Sequence, residues 1–221
     1  MRLNKFYEQQ YEHLFWSGIV GGLVGVAHRI MEFRYRDKQY FSTILEVGAG
    51  QGQHLPFVKS KYSLYYCTDL IAPGNIRSSY PNLITVSEDA QALSFKDEMF
   101  DRIIATCLLP HLDFPDSALR EWRRVLKPGG ILTVYVATDP GLMLRFFRLI
   151  LIAPKAIKAG FGNHLQTSHI EHRNSYLLCK TLINRNFNSD KVKLRRYPFP
   201  FLSWNFNMFA IVHIEKLKKN D

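Results

Sequence analysis

The string ILEVGAGQG, Ile44 to Gly52, restricts this chain more than any other. An apolar run that should form a buried strand ends in three glycines at alternate positions, Gly48, Gly50 and Gly52. A chain can turn that sharply, and let a ligand approach its backbone, only where no side chain intrudes. A helix starting near Gln53 would aim its amino end at the same place. Asp69 follows Gly50 by 19 residues, after a second β-rich run from Tyr62 to Thr68. An acidic side chain at that point can accept both hydroxyl protons of a ribose.

The remaining pattern extends this unit. Short apolar runs alternate with helical periodicity, as in a parallel sheet with crossover helices. The expected strands are 43–47, 62–68, 82–87, 100–107, 131–137, 191–197 and 205–217. Residues 116–126 read as an amphipathic helix with Asp116 as its cap, and 174–186 as another. Lys127-Pro128-Gly129-Gly130 reads as a helix stop and turn. The expected fold is α/β: a doubly wound, seven-stranded, mostly parallel sheet with helices on both faces. One domain, 1–221, carries it. Residues 1–40 form an N-terminal helical lid and 43–137 the cofactor-binding half. Residues 138–172 form a cap inserted over the strands' carboxyl ends, and 173–221 the closing helix and last two strands.

Charge is distributed unevenly along these segments. The chain of 221 residues carries +10 in all: +2 in residues 1–40, −1 in 41–137 and +9 in 138–221. A near-neutral core thus adjoins a basic region, which argues against wholesale coating of nucleic acid. Hydrophobic content of 47% excludes a disordered chain. Three widely spaced cysteines, Cys67, Cys107 and Cys179, offer no disulfide framework and fit a reducing, cytoplasmic setting. The first residues lack the order of a signal peptide. The apolar stretches Leu14 to Met31 and Leu142 to Ala153 are broken by glycines, His28, Arg29, Arg145 and Arg148, so neither is expected to span a membrane. The second, followed by Lys155 and Lys158, reads either as a cap helix or as a basic apolar surface for anionic lipid.

In this setting the chain resembles the class I S-adenosylmethionine-dependent methyltransferases, strongly over residues 43–137. Glu46-x-Gly48-x-Gly50-x-Gly52 is similar to that family's first motif, whereas a dinucleotide fingerprint would place glycine where Gln53 stands. Asp69-Leu70 resembles the ribose-binding acid and the residue beside the adenine. Glu88-Asp89-Ala90 resembles the adenine-edge motif, and Leu126 to Leu132 the turn before the fifth strand. The resemblance implies S-adenosylmethionine as cofactor, held by Glu46, Gly48, Ala49, Gly50, Gly52, Asp69, Leu70, Asp89 and Ala90. It adds Cys107 at the fourth strand's end and Tyr11 from the lid.

The resemblance makes the chain a transferase whose main task is to align an acceptor with the donor methyl and exclude water. A hydroxyl acceptor usually needs a base. His111, in the loop after the fourth strand, reads as a base or as a packed structural histidine. The string NHLQTSHIEHR adds His164, His169, Glu171 and His172. The expected catalytic group is His111, His169, Glu171 and His172. His169-x-x-His172 is a single pair, so no metal site is assigned. A Pro-Cys dipeptide and an Asp/Asn-Pro-Pro-aromatic motif are both lacking near Cys107, which counts against methylation of nucleic-acid bases. The expected acceptor is a hydroxyl on a small molecule or glycan precursor. A lipid or lipid-linked acceptor at a membrane surface is the alternative, then RNA or a non-catalytic binding role. No obligate protein partner is expected.

Overall fold

The computed structural model describes residues 14–35, 39–72, 74, 80, 82–160 and 171–218. Seven strands form one sheet in the order β3-β2-β1-β4-β5-β7-β6: β1 Tyr40–Val47, β2 Lys61–Asp69, β3 Leu83–Ser87, β4 Phe100–Thr106, β5 Leu126–Ala137, β6 Lys191–Tyr197 and β7 Phe209–Glu215. The first five are parallel, and β7 runs antiparallel to both β5 and β6. Central strands are buried on both faces, so Ile44, Leu45 and Val47 of β1 and Ile103, Ile104 and Ala105 of β4 have no exposed surface.

Helices cover both faces. The described helices include α1 Gly18–Glu32, α2 Pro115–Val125, α3 Leu142–Phe147, α4 Ala153–Lys158 and α5 Tyr176–Asn186. On one face α2 and α5 pack Trp122, Val125, Cys179, Ile183 and their neighbours against β4, β5 and β7. On the other, α1 brings Ala27 and Met31 onto Ile44, Tyr65 and Ile104.

Four local expectations are corrected. No helix follows the glycine turn: residues 51–54 form turns and Leu55–Phe57 a single 3-10 turn. Only eight residues separate Gly52 from Lys61, and Pro56 stands among them, so there is no room for a crossover helix. The N-terminal α1 lies against this turn instead. Second, α2 begins at Pro115 with Phe114 as cap. Asp116 lies inside the first turn, where its charge suits the helix dipole, and pairs with Arg120 and Arg185. Third, Lys127 to Gly130 belong to β5. The register jumps from Phe100–Leu126 to Arg102–Ile131, so these residues bulge from the ladder. Gly129 has φ +79°, which explains a glycine there. Fourth, β7 starts at Phe209, because Trp204–Phe206 make a 3-10 turn.

Beneath α1 lies a buried ionic network that periodicity did not show. Arg102, in the middle of β4, donates to both carboxylate oxygens of Glu32 and lies 4.2 Å over the Tyr35 ring. His54 Nε2–H donates to Glu32 over 3.0 Å, which leaves its Nδ1 to accept from His28 Nδ1–H over 2.7 Å. Burial and the neighbouring His54 push the His28 pKa down to about 3. Glu32 is held down at about 2: burial opposes its charge, but Arg102 and His54 outweigh burial.

Candidate active site

All five parallel strands end on one edge of the sheet, so the segments after β1 to β5 converge there. After β1, Gly48, Gly50 and Gly52 all have positive φ, at +66°, +56° and +77°. At Gly48 a Cβ would meet only the movable end of the Leu108 side chain, so the positive φ is what favours glycine there. The turn is tied to β2: Ala49 N–H donates to Thr68 O, and Gly50 N–H to Asp69 Oδ2 over 2.8 Å.

These residues fit a nucleoside-bearing cofactor. Each Asp69 oxygen accepts one backbone amide, from Gly50 and from Leu70. An ionised carboxylate has about four acceptor positions, so two hydroxyls can still be bound. Beside it Leu70 and Ile71 are 70% and 84% exposed, an apolar surface suited to a planar base. Asp89 Oδ1 accepts from the backbone and side chain of Gln91, and Ala90 O accepts from Trp122 Nε1–H. Glu46 lies beneath the turn with no exposed surface. Its Oε2 accepts from Tyr65, its Oε1 has no hydrogen-bond partner among the described residues, and burial raises its pKa.

Across the edge from Asp69, four segments bring together a second group. Cys107 ends β4 in a left-handed conformation, φ +53°, uncommon for a residue with a side chain. A 3-10 turn, Leu109–His111, follows. His172 arrives from the segment before α5, and Asp139 from the end of β5. The ligating atoms of Cys107, His111 and His172 all lie within 4.8 Å of one another. The His111 and His172 rings meet edge to face with centroids 4.6 Å apart. Asn174 holds the two segments together: its N–H donates to Pro110 O, and its Nδ2 to Leu109 O and Leu112 O.

His172 is oriented from behind. Asp139 Oδ2 stands 2.8 Å from its Nδ1, and Arg148 Nη2 stands 3.0 Å from the same nitrogen. One nitrogen cannot both donate to the acid and accept from the guanidinium. Although burial opposes its charge, hydrogen bonds with Asp139 and Cys107 raise the His172 pKa to about 9. Nδ1–H therefore donates to Asp139, and Nε2 is left for the Cys107–His111 side. Arg148 Nη1 donates to Asp139 over 2.6 Å. Burial would raise Asp139, but His172 and Arg148 hold it at about 2. Burial also opposes charge on Cys107, yet hydrogen bonds from His111 and His172 bring the thiol down to about 6. Asp139 Oδ1 is buried without a hydrogen-bond partner among the described residues.

Of the residues expected to act, His111 and His172 thus come together, with Glu171 next in the chain to His172. His164, His169 and Tyr11 lie outside the described residues. Cys107, expected beside the cofactor, stands in the histidine group. Asp139 and Asn174 were not singled out in the sequence. Asp139-Pro140-Gly141 directly after a buried strand is the signal that could have pointed to the first. Arg148 is corrected from a surface charge to a buried partner of Asp139, because the chain makes a π-helical turn over Arg148–Ile152. Lys155 is likewise engaged, donating to Ser17 O.

The comparisons with known proteins agree with this geometry. A family described as a methyltransferase domain matches residues 45–134. The chain is 29% identical over 152 residues to the highly reducing polyketide synthase verA of Penicillium polonicum, covering 62% of this chain and 6% of that protein. It is 35% identical over 101 residues to the 2-methyl-6-phytyl-1,4-hydroquinone methyltransferase of a Synechocystis strain, covering 42% of this chain and 31% of that protein. The chain thus spans less than a third of each of these relatives. Among solved structures, the N-methyltransferase NodS of Bradyrhizobium japonicum, in complex with S-adenosyl-L-homocysteine, superposes with a TM-score of 0.64 at 14% identity. That match covers 97% of this chain and all of NodS. With its strand order, its glycine turn and the acid at the end of β2, the chain has the fold of the class I, seven-strand S-adenosylmethionine-dependent methyltransferases, and its residues 45–134 match a methyltransferase domain.

Proposed function

We propose that this chain methylates a hydroxyl group of a small molecule or glycan precursor. The observation that carries the reading is the convergence of His111, His172 and Cys107 opposite Asp69, with Asp139 and Arg148 behind them. S-adenosylmethionine, when bound, supplies a methyl group on a sulfonium that is already an excellent leaving group. The residues' own task is to seat an acceptor oxygen in line with that methyl and relieve it of its proton. Neutral amines need little such help, whereas alcohols do. With His172 protonated at neutral pH and braced by the Asp139 carboxylate, the Cys107 thiolate beside it is the group placed to take that proton. Residues 69–71 and the glycine turn hold the donor, and Asn174 keeps the turn that carries His111 beside the segment that carries His172.

The α3–α4 segment supports a second reading. Leu142, Phe146, Leu149, Ile150 and Ile157 are all exposed, and Arg145 and Lys158 flank them. Among the described residues no helix is long and apolar enough to cross a membrane, so such a face would lie on a lipid surface. The matched Synechocystis protein is named for a phytyl hydroquinone, a lipid-like acceptor. With Arg148 and Lys155 engaged internally, however, the positive charge available to anionic lipid is smaller than the sequence suggests.

The test is transfer of labelled methyl from S-adenosylmethionine to an extract of the source cells, separated into glycan, small-molecule, lipid and nucleic-acid fractions. Label on a hydroxyl in the first two is expected, and its loss in His172→Ala ties it to the group. Label confined to lipid would favour the second reading, and label on amines or RNA would overturn the hydroxyl reading.

A further inference from the structure

Cys107, His111 and His172 offer one thiol and two imidazoles from two segments, the loop after β4 and the stretch before α5, with every ligating atom within 4.8 Å of the others. Around a tetrahedral zinc ion, with bonds of about 2.0 to 2.3 Å, such atoms lie roughly 3.5 Å apart. Side-chain rotations that draw the cluster in by about an ångström would therefore suffice. We propose that these three residues bind a zinc-type divalent cation, with a fourth position open toward the acceptor.

The donor set selects the class of ion. One sulfur and two nitrogens suit zinc or cobalt, whereas magnesium and calcium require oxygen ligands. Three protein ligands and an open position mark a catalytic rather than a structural site. The surroundings supply what such a site needs. Asp139 occupies His172 Nδ1, as carboxylates behind metal-binding histidines do, which fixes the ring and turns Nε2 to the ion. Asn174 fixes the turn that carries His111. The strained φ of Cys107 directs its side chain off the line of β4 at the point where the group forms.

The use of the cation in transfer rests on the hydroxyl reading above, whereas its binding does not. A hydroxyl bound at the open position becomes more acidic and releases its proton to water. Its oxygen then forms a bond to the methyl carbon as the carbon–sulfur bond breaks. The electron pair of that bond stays on sulfur, leaving a neutral thioether.

The test is cobalt binding by the full chain after treatment with a chelator. One Co²⁺ per chain is expected, with visible bands of a tetrahedral ion and a near-ultraviolet thiolate-to-cobalt charge-transfer band. Cys107→Ser should abolish the charge-transfer band, and Cys67→Ser should keep it. Asp139→Asn should weaken binding about 10- to 100-fold. Circular dichroism of each variant checks that it is folded. Competition by Zn²⁺ should displace the cobalt. Lack of stoichiometric uptake, or a charge-transfer band that survives Cys107→Ser, would overturn the site. Lack of uptake with label still reaching a hydroxyl would overturn the site alone. Uptake as expected with label on another acceptor class would support the site and overturn the hydroxyl reading.

Discussion

Two groups of ionisable side chains lie about the same sheet, and each has a deeply buried acid–arginine pair. Glu32, Arg102, His54 and His28 are all less than a tenth exposed, and so are Asp139 and Arg148. They differ in position and in the exposure of their remaining members, since Cys107, His111 and His172 of the second group are only partly buried. The first group sits at mid-strand, under α1, which supplies both Glu32 and His28 and seals them. Its carboxylate is saturated by Arg102 and His54. The second group sits beyond the strand ends and is assembled from four loop segments. It contains Cys107 at φ +53° and an Asp139 oxygen without a hydrogen-bond partner among the described residues, as Arg102 Nε is in the first group. A sealed network at mid-sheet holds the fold together, whereas the second lies at the strands' carboxyl edge with three of its members partly open to solvent. Ionisable groups on one sheet are thus better told apart by where they stand along the strands than by one unpaired atom.

This contrast can be broken by substitution. Arg102→Met should have the largest effect on stability, about 3 to 5 kcal/mol by denaturant unfolding, because Glu32 would be left buried with an uncompensated charge. Adding Glu32→Gln should recover part of the loss. Equal stability of wild type and single variant would show the network to be ornamental. At the other group, His111→Ala and His172→Ala should each lower kcat about 10²- to 10³-fold with little change in cofactor affinity. A loss of stability like that of Arg102→Met, with kcat retained, would erase the distinction between the groups. Asp69→Ala should weaken S-adenosylmethionine binding ten-fold or more, from the loss of charged hydrogen bonds of about 1.5 to 3 kcal/mol. Calorimetric titration measures this, and near-normal affinity would remove Asp69 from the cofactor site.

A further effect concerns pH. His28 is held at about 3, well below its ordinary value, and His213 at about 4 by burial and the nearby Arg34 and Arg102. A lowered folded pKa means that the unfolded chain takes up protons first. Stability from these two groups is therefore full above about pH 6.5 and declines toward pH 4, before the carboxylates titrate. Each contributes a slope of up to about 1.4 kcal/mol per pH unit in that window. His28→Phe should flatten the slope measured by unfolding between pH 6.5 and 4. An unchanged slope would mean that His28 does not hold its proton off on folding.

Much of this could be read from contiguous residues. The seven strands, the glycine turn and Asp69 were legible because β-patterning, turn chemistry and spacing along one βα unit are local properties. Glycines with positive φ at 48, 50 and 52 follow directly from that string. The missing helix after Gly52 was misread because the motif implied one, while the eight-residue span to β2 excluded it. The acceptor side was legible only as a list of histidines. Arg148 and Lys155 looked like solvent-facing charges on a greasy stretch, since nothing in their neighbours names Asp139 or Ser17 as partners.

The sequence by itself thus determined the sheet, its class and the cofactor edge. The tertiary structure alone decided which ionisable groups meet. Arg102 finds Glu32 across 70 positions, and His172 finds Cys107 across 65. The reason is physical: strand pairing and turns are set by a few adjacent residues. A charge is neutralised by whatever the packed chain brings within about 3 Å, and separation along the sequence carries no record of that distance.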